Sequence, residues 1–68
     1  MINRKYKANL INGGVAFFLA IGNSVYEDIR LMITVCTPEG YIDFERELLI
    51  DFDTLDKKAD EHKWERIY

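Results

Sequence analysis

The clearest pattern in the chain is an alternation of apolar and acidic residues over positions 41–52. Successive side chains of a strand point to opposite faces of a sheet, so this alternation predicts a strand with one apolar and one acidic face. The apolar set consists of Ile42, Phe44, Leu48, Ile50 and Phe52, and the acidic set of Asp43, Glu45, Glu47 and Asp51.

Three earlier segments predict strands: residues 2–11 and about 25–36 alternate, and residues 15–21 form an uninterrupted apolar run between turn residues. Glycine and asparagine follow the first and second strands, and Thr37-Pro38-Glu39-Gly40 follows the third. These residues favour tight turns, because glycine supplies positive φ angles and proline fixes φ. Short turns join antiparallel strands, so the pattern predicts a four-stranded antiparallel meander.

The lengths of the first two turns set the predicted register. A two-residue loop made of Gly13 and Gly14 places Tyr6 opposite Ile21, and a three-residue loop after the second strand places Phe17 opposite Ile29. This register turns the odd-numbered residues of the second strand inward. Its even-numbered residues, together with Met32 of the third strand, then face outward; they are Ala16, Phe18 and Ala20.

The third turn sets the position of the acidic strand. With a two-residue loop at Pro38 and Glu39, Ile33 lies opposite Phe44. The same register places Arg30 across from Glu47 on the outward face, which predicts a cross-strand ion pair.

A helix is predicted after the fourth strand, because the apolar period changes there. Asp53 or Thr54 suits the N-cap, and the helix is expected to run to about Glu65. Leu55 belongs to its apolar stripe, with Trp64 near the edge of that stripe. The predicted fold is therefore α+β, a ββββα meander with one C-terminal helix packed on one face, in a single small domain of residues 1–68.

Composition narrows the class of protein. The chain has 68 residues and a net charge of −3, but its first 23 residues hold three basic and no acidic side chains. The remainder holds twelve acidic and six basic side chains, a net charge of −6. Such a surface repels nucleic acid and attracts basic partners, although it also serves solubility alone.

Location is inferred from the cysteine count and the apolar runs. A single cysteine, Cys36, allows no internal disulfide and favours a reducing, cytoplasmic compartment. The longest apolar run spans residues 15–21, too short for a membrane span. Basic residues before this run also suit a signal peptide, but two glycines interrupt the apolar region and argue against one.

No catalytic, metal or cofactor site is expected. Cys36 and His62 form the only nucleophile and histidine pair, and the predicted fold places Cys36 at a turn on the face away from the helix. The acids at 51, 53 and 56 lack the spacing of a calcium loop, and those at 43, 45 and 47 lack a sugar-binding cleft.

The sequence instead predicts a non-enzymatic protein-binding module. An apolar patch rimmed by charge is typical of a protein-binding surface. The residues expected to contact a basic partner are Asp43, Glu45, Glu47 and Asp51, with Tyr41, Phe18 or Trp64 as anchors. In size and charge, not by any motif, the chain resembles phage-encoded inhibitors of host nucleic-acid enzymes, such as anti-CRISPR or anti-restriction proteins. The alternative is a self-associating structural or assembly protein, a homodimer formed through the outward sheet face or an edge strand.

Overall fold

The computed structural model describes residues 1–67, which form one antiparallel sheet with a helix on one face. The strands are β1 (Ile2–Asn9), β2 (Val15–Gly22), β3 (Ile29–Cys36), β4 (Ile42–Ile50) and β5 (Glu65–Arg66), and the helix α1 is Phe52–Glu61. The sheet order is β4-β3-β2-β1-β5. The predicted ββββα fold is confirmed, and the short strand β5 is an addition that the sequence pattern did not indicate.

The first hairpin has a longer loop than predicted. The Leu10 N–H donates a hydrogen bond to the Gly14 carbonyl at 2.9 Å. The loop between these two residues therefore contains three residues. Gly13 takes a φ of 90°, and the Asn12 side chain accepts a hydrogen bond from the Gly14 N–H at 2.8 Å. Glycine in the left-handed position is what a three-residue hairpin loop requires.

This loop changes which face of β2 points inward. Tyr6 lies opposite Phe18, not Ile21, so Ala16, Phe18 and Ala20 are the buried residues of β2. The prediction that these three residues face outward is therefore wrong. Both parities of β2 are apolar, so hydrophobic pattern alone could not select the register there.

The second connection is also longer than predicted. Strand β3 begins at Ile29, and the preceding residues 23–28 form a loop in which Ser24 accepts a hydrogen bond from the Tyr26 N–H at 3.1 Å. Ala20 pairs with Leu31, so the predicted pairing of Phe17 with Ile29 is wrong.

From Phe44 onward, the fourth strand keeps its predicted faces but not its predicted pairs. The loop before it contains three residues, ending at Gly40 with a φ of 95°, and the ladder is irregular between Val35 and Cys36. These two departures shift the register by two positions, so Val35, not Ile33, lies opposite Phe44. A shift of two leaves the side chains from Phe44 onward on their predicted faces. Ile42 is the exception, because it pairs with Cys36, whose side chain lies on the face away from the helix.

The helix begins two or three residues earlier than predicted and ends sooner. Asp51 is the N-cap, and the last helical residue is Glu61, not a residue near Glu65. The end is a Schellman motif: the Trp64 N–H donates to the Ala59 carbonyl at 2.9 Å and the Lys63 N–H to the Asp60 carbonyl at 3.3 Å. Lys63 takes the left-handed conformation of this motif, with a φ of 54°.

The core lies between the helix and one sheet face, which we call the helix face. Its buried residues are Ile2, Tyr6, Ala16, Phe18, Ala20, Ile29, Leu31 and Leu55. Trp64 leaves the helix end and stacks on Phe18 with ring centroids 3.8 Å apart, and it also meets Tyr6 at 6.0 Å. The chain then pairs with β1 as β5, next to this aromatic cluster. No helix within residues 1–67 is long and apolar enough to cross a membrane.

Leu55 is the helix residue on which the core most depends, since its side chain is fully buried. Substitution Leu55→Ala is expected to lower the free energy of unfolding by about 3 kcal/mol, most of the stability of so small a domain. Urea denaturation followed by circular dichroism measures this change. Leu49→Ala is the matched control, because Leu49 is 70% exposed, and it should change stability by less than about 0.5 kcal/mol. Equal losses in the two variants would contradict the assigned core.

Candidate protein-binding surface

The sheet face opposite the helix, which we call the open face, has no layer covering it within residues 1–67. It carries a groove of about 380 Å³ that runs across the strands. The apolar floor of the groove is formed by Phe17 and Leu19 of β2 and Met32 of β3. Phe17 keeps 41% of its surface exposed, although it lies in the middle of the sheet. An uncovered apolar strip of this kind is typical of a surface that contacts another molecule.

The two sides of the groove carry opposite charges. On the β1 side, Lys5 and Lys7 lie opposite Leu19 and Phe17, so they share the open face. On the β4 side, Glu47 lies opposite Met32 and Glu45 lies opposite Thr34. The open face is thus a short apolar floor with a basic and an acidic rim.

Arg30 moderates the acidic rim. Its Nε donates to Oε1 of Glu47 at 2.5 Å, which confirms the predicted ion pair. The contact is diagonal, because Arg30 lies directly opposite Leu49 in the ladder. At least half of each side chain is exposed to solvent, and exposed ion pairs of this kind contribute little to stability. Glu45 makes no ion pair within the described part of the chain.

The four acidic residues predicted to bind a partner do not lie on one surface. Glu45 and Glu47 lie on the open face as predicted, and Asp43 sits beside the ladder irregularity at the start of β4. Asp51 lies beyond the strand, where its carboxylate accepts from the Thr54 N–H at 3.1 Å and from the Thr54 hydroxyl at 2.5 Å. This geometry satisfies the first turn of the helix, so capping accounts for Asp51.

The aromatic anchors are placed differently from one another. Tyr41 precedes β4 and is 74% exposed, so it is available to a partner. Phe18 is buried on the helix face, and the expectation that it contributes to an outward patch is wrong. Trp64 is partly buried against Phe18, which gives it a packing role.

Residues that sequence reasoning overlooked take the place of Phe18. Phe17 and Leu19 supply the open face, with Ile67 beside Lys5 at the β1 side. One signal could have identified them: Ala16 and Ala20 are small residues flanking Phe18 on a single parity. Small side chains let a helix approach a sheet closely. The parity of Ala16 and Ala20 therefore suits the covered face better than the parity of Phe17 and Leu19, whose side chains are larger.

The side chains considered for catalysis or metal binding are not assembled into a site. Cys36 lies between Val15 and Ile42 in the sheet, while the His62 ring lies 6.0 Å from Trp64. No hydrogen bond joins Cys36 to His62, and no cluster of three metal-ligating residues occurs, within residues 1–67. Family models, curated proteins and solved structures give no match to this chain.

The cap at Asp51 makes stability depend on pH in a defined direction. Hydrogen bonds from the Thr54 side chain and then its backbone N–H lower the pKa of the Asp51 carboxyl below its usual value of 3.8. A lowered folded-state pKa means that the contribution is present above the unfolded-state pKa and is lost as pH falls through the folded-state pKa. Wild type should therefore lose stability in acid relative to Asp51→Asn, which caps without titrating. Unfolding curves for both proteins across the acid range measure this, and parallel curves would contradict it.

Proposed function

We propose that this chain is a non-enzymatic, cytoplasmic protein-binding module that inhibits a nucleic-acid enzyme by covering a basic surface on it. The observation that carries the proposal is the open face, where exposed Phe17 and the Leu19 floor adjoin the acids Glu45 and Glu47. Apolar contact supplies affinity on such a surface, and charge complementarity supplies specificity and a fast association rate.

The distribution of charge supports a basic protein partner over nucleic acid. Strand β4 presents three acids and one arginine, and nearby Tyr41 offers an exposed aromatic ring. Phosphate backbones are repelled by such a strand, whereas arginine and lysine side chains that line nucleic-acid channels are attracted to it. A protein carrying this surface would compete with nucleic acid for the same basic groups.

The inhibitor proposal predicts that binding depends on the acids of β4. Reversing Asp43, Glu45 and Glu47 to lysine should abolish capture of the basic partner from the native host while leaving the circular dichroism spectrum unchanged. The matched control reverses Asp56, Asp60 and Glu61, which are exposed on the helix and change the net charge equally. The control should retain binding. Loss of capture in both variants would indicate a dependence on net charge alone, and unchanged capture in the first would refute the acidic surface as the site.

Self-association through the open face is a second candidate function, favoured by the opposite charges of its two rims. A two-fold axis parallel to the strands would stack two open faces and place β1 of one copy over β4 of the other. Lys5 and Lys7 would then meet Glu45 and Glu47 of the second copy, about 10 Å being the usual distance between packed sheets.

Light scattering coupled to size exclusion separates these two functions. The inhibitor proposal predicts a monomer of 8.0 kDa at micromolar concentration, whereas self-association predicts twice that mass. If a dimer forms through the open face, reversing Lys5 and Lys7 to glutamate should weaken it. Adding Glu45→Lys and Glu47→Lys to the same chain should restore it, because the charge pairs are then exchanged. A dimer insensitive to all four changes would contradict this arrangement.

A further inference from the structure

Strand β4 is a long edge of the sheet. It pairs with β3 on one side, and no strand within residues 1–67 pairs with its other side. The opposite edge differs, because the two residues of β5 pair with β1 at Tyr6 and Lys7 and so interrupt the edge of β1. Short edge strands protect a sheet from further pairing, whereas a nine-residue edge offers a row of backbone donors and acceptors to an added strand.

The side chains along this edge form a definite pattern between Phe44 and Leu48. Phe44 is on the helix face, opposite Val35, and half of its surface remains exposed. Leu48 lies on the same face and is partly buried, and Arg46 stands between these two apolar residues. Glu45 and Glu47 project on the open face. An added strand would therefore meet apolar groups flanking one cation on one side, and two anions on the other.

A second copy of this chain is a poor occupant of the edge. Two copies related by a two-fold axis pair antiparallel with the same faces on the same side, so open-face residues oppose open-face residues. In registers centred on Glu45, Arg46 or Glu47, at least one glutamate then lies opposite a glutamate of the second copy. Like charges directly opposite each other destabilise a strand pair. The acids thus disfavour self-pairing and select a strand with basic residues.

We infer that the β4 edge binds an extended segment of a partner protein in which basic residues flank an acidic one, with apolar residues outside them. The two basic side chains face Glu45 and Glu47, the acidic one faces Arg46, and the apolar ones face Phe44 and Leu48. Backbone hydrogen bonds to β4 supply the general affinity, as in other cases of strand addition. The order apolar-basic-acidic-basic-apolar is symmetric, so it holds for both strand directions. This inference rests on the proposed protein-binding function and names the partner segment.

Peptide titration of the full chain tests the inference. The probe is a capped synthetic peptide centred on valine-lysine-glutamate-lysine-valine, added to nitrogen-15-labelled protein. We expect the largest amide shifts in residues 42–50 and slower amide hydrogen exchange there, with no comparable change in β5. A control peptide of the same composition, lysine-valine-glutamate-valine-lysine, exchanges the lysines and valines between the two faces and keeps the glutamate opposite Arg46. It should bind about tenfold more weakly, because all four lysine and valine positions are mismatched.

Variants test the charge pairs separately from backbone pairing. The double substitution Glu45→Lys and Glu47→Lys should weaken the first peptide about tenfold. A peptide with valine outside three consecutive glutamates should then bind the variant better than it binds wild type. Because both glutamates are exposed, the variant is expected to remain folded.

Three outcomes would overturn the inference. Equal affinity for the two isomeric peptides would contradict the proposed order of side chains in the partner segment. The absence of amide shifts with either peptide would contradict binding at the β4 edge. Shifts confined to Phe17, Leu19 and Met32, without protection of β4, would place the peptide on the open face instead. The proposed function is judged separately by partner capture, so it survives these results if the reversal of Asp43, Glu45 and Glu47 still abolishes capture.

Discussion

The stacking of Trp64 on Phe18 joins the end of the helix to the covered face of the sheet. The two rings lie 3.8 Å apart and nearly parallel, with Tyr6 completing the cluster. Trp64 reaches this position because the Schellman motif at the helix end reverses the chain through the left-handed residue Lys63. The same reversal carries Glu65 and Arg66 beside β1. The Schellman motif thus ends the helix, places Trp64 on the core and brings the fifth strand to β1.

The helix covers one face of the sheet and leaves the open face without a covering layer within residues 1–67. A ten-residue helix is about 15 Å long, whereas an eight-residue strand spans about 26 Å. Residues 1–67 contain one helix, which covers only part of one face. The apolar floor of Phe17, Leu19 and Met32 therefore remains exposed on the open face, with charged residues at both rims.

The order of the first four strands and the fold class could be predicted because turn residues separate the strands and alternation marks β1, β3 and β4. The register of β2 could not, because Val15–Gly22 is apolar on both parities and a loop of two or three residues fits the same glycines. Strand β4 differs, since its acids allow only one parity to face inward. Its faces from Phe44 onward were therefore predicted correctly even though its pairs shifted by two. For the same reason, the sequence identified Glu45 and Glu47 of β4 as part of the candidate surface but did not identify Phe17 of β2.

The acids of β4 influence association in two opposing ways. An edge strand of nine residues with exposed Phe44 and Leu49 would be prone to pair with its own copies if it were neutral. Glu45 and Glu47 oppose that pairing by placing like charges together, and the same two charges attract a strand that is basic at those positions. Solubility and partner selection therefore need not be alternative explanations of these residues. On an edge strand, the charge that prevents self-pairing is also the charge that defines which foreign strand can pair.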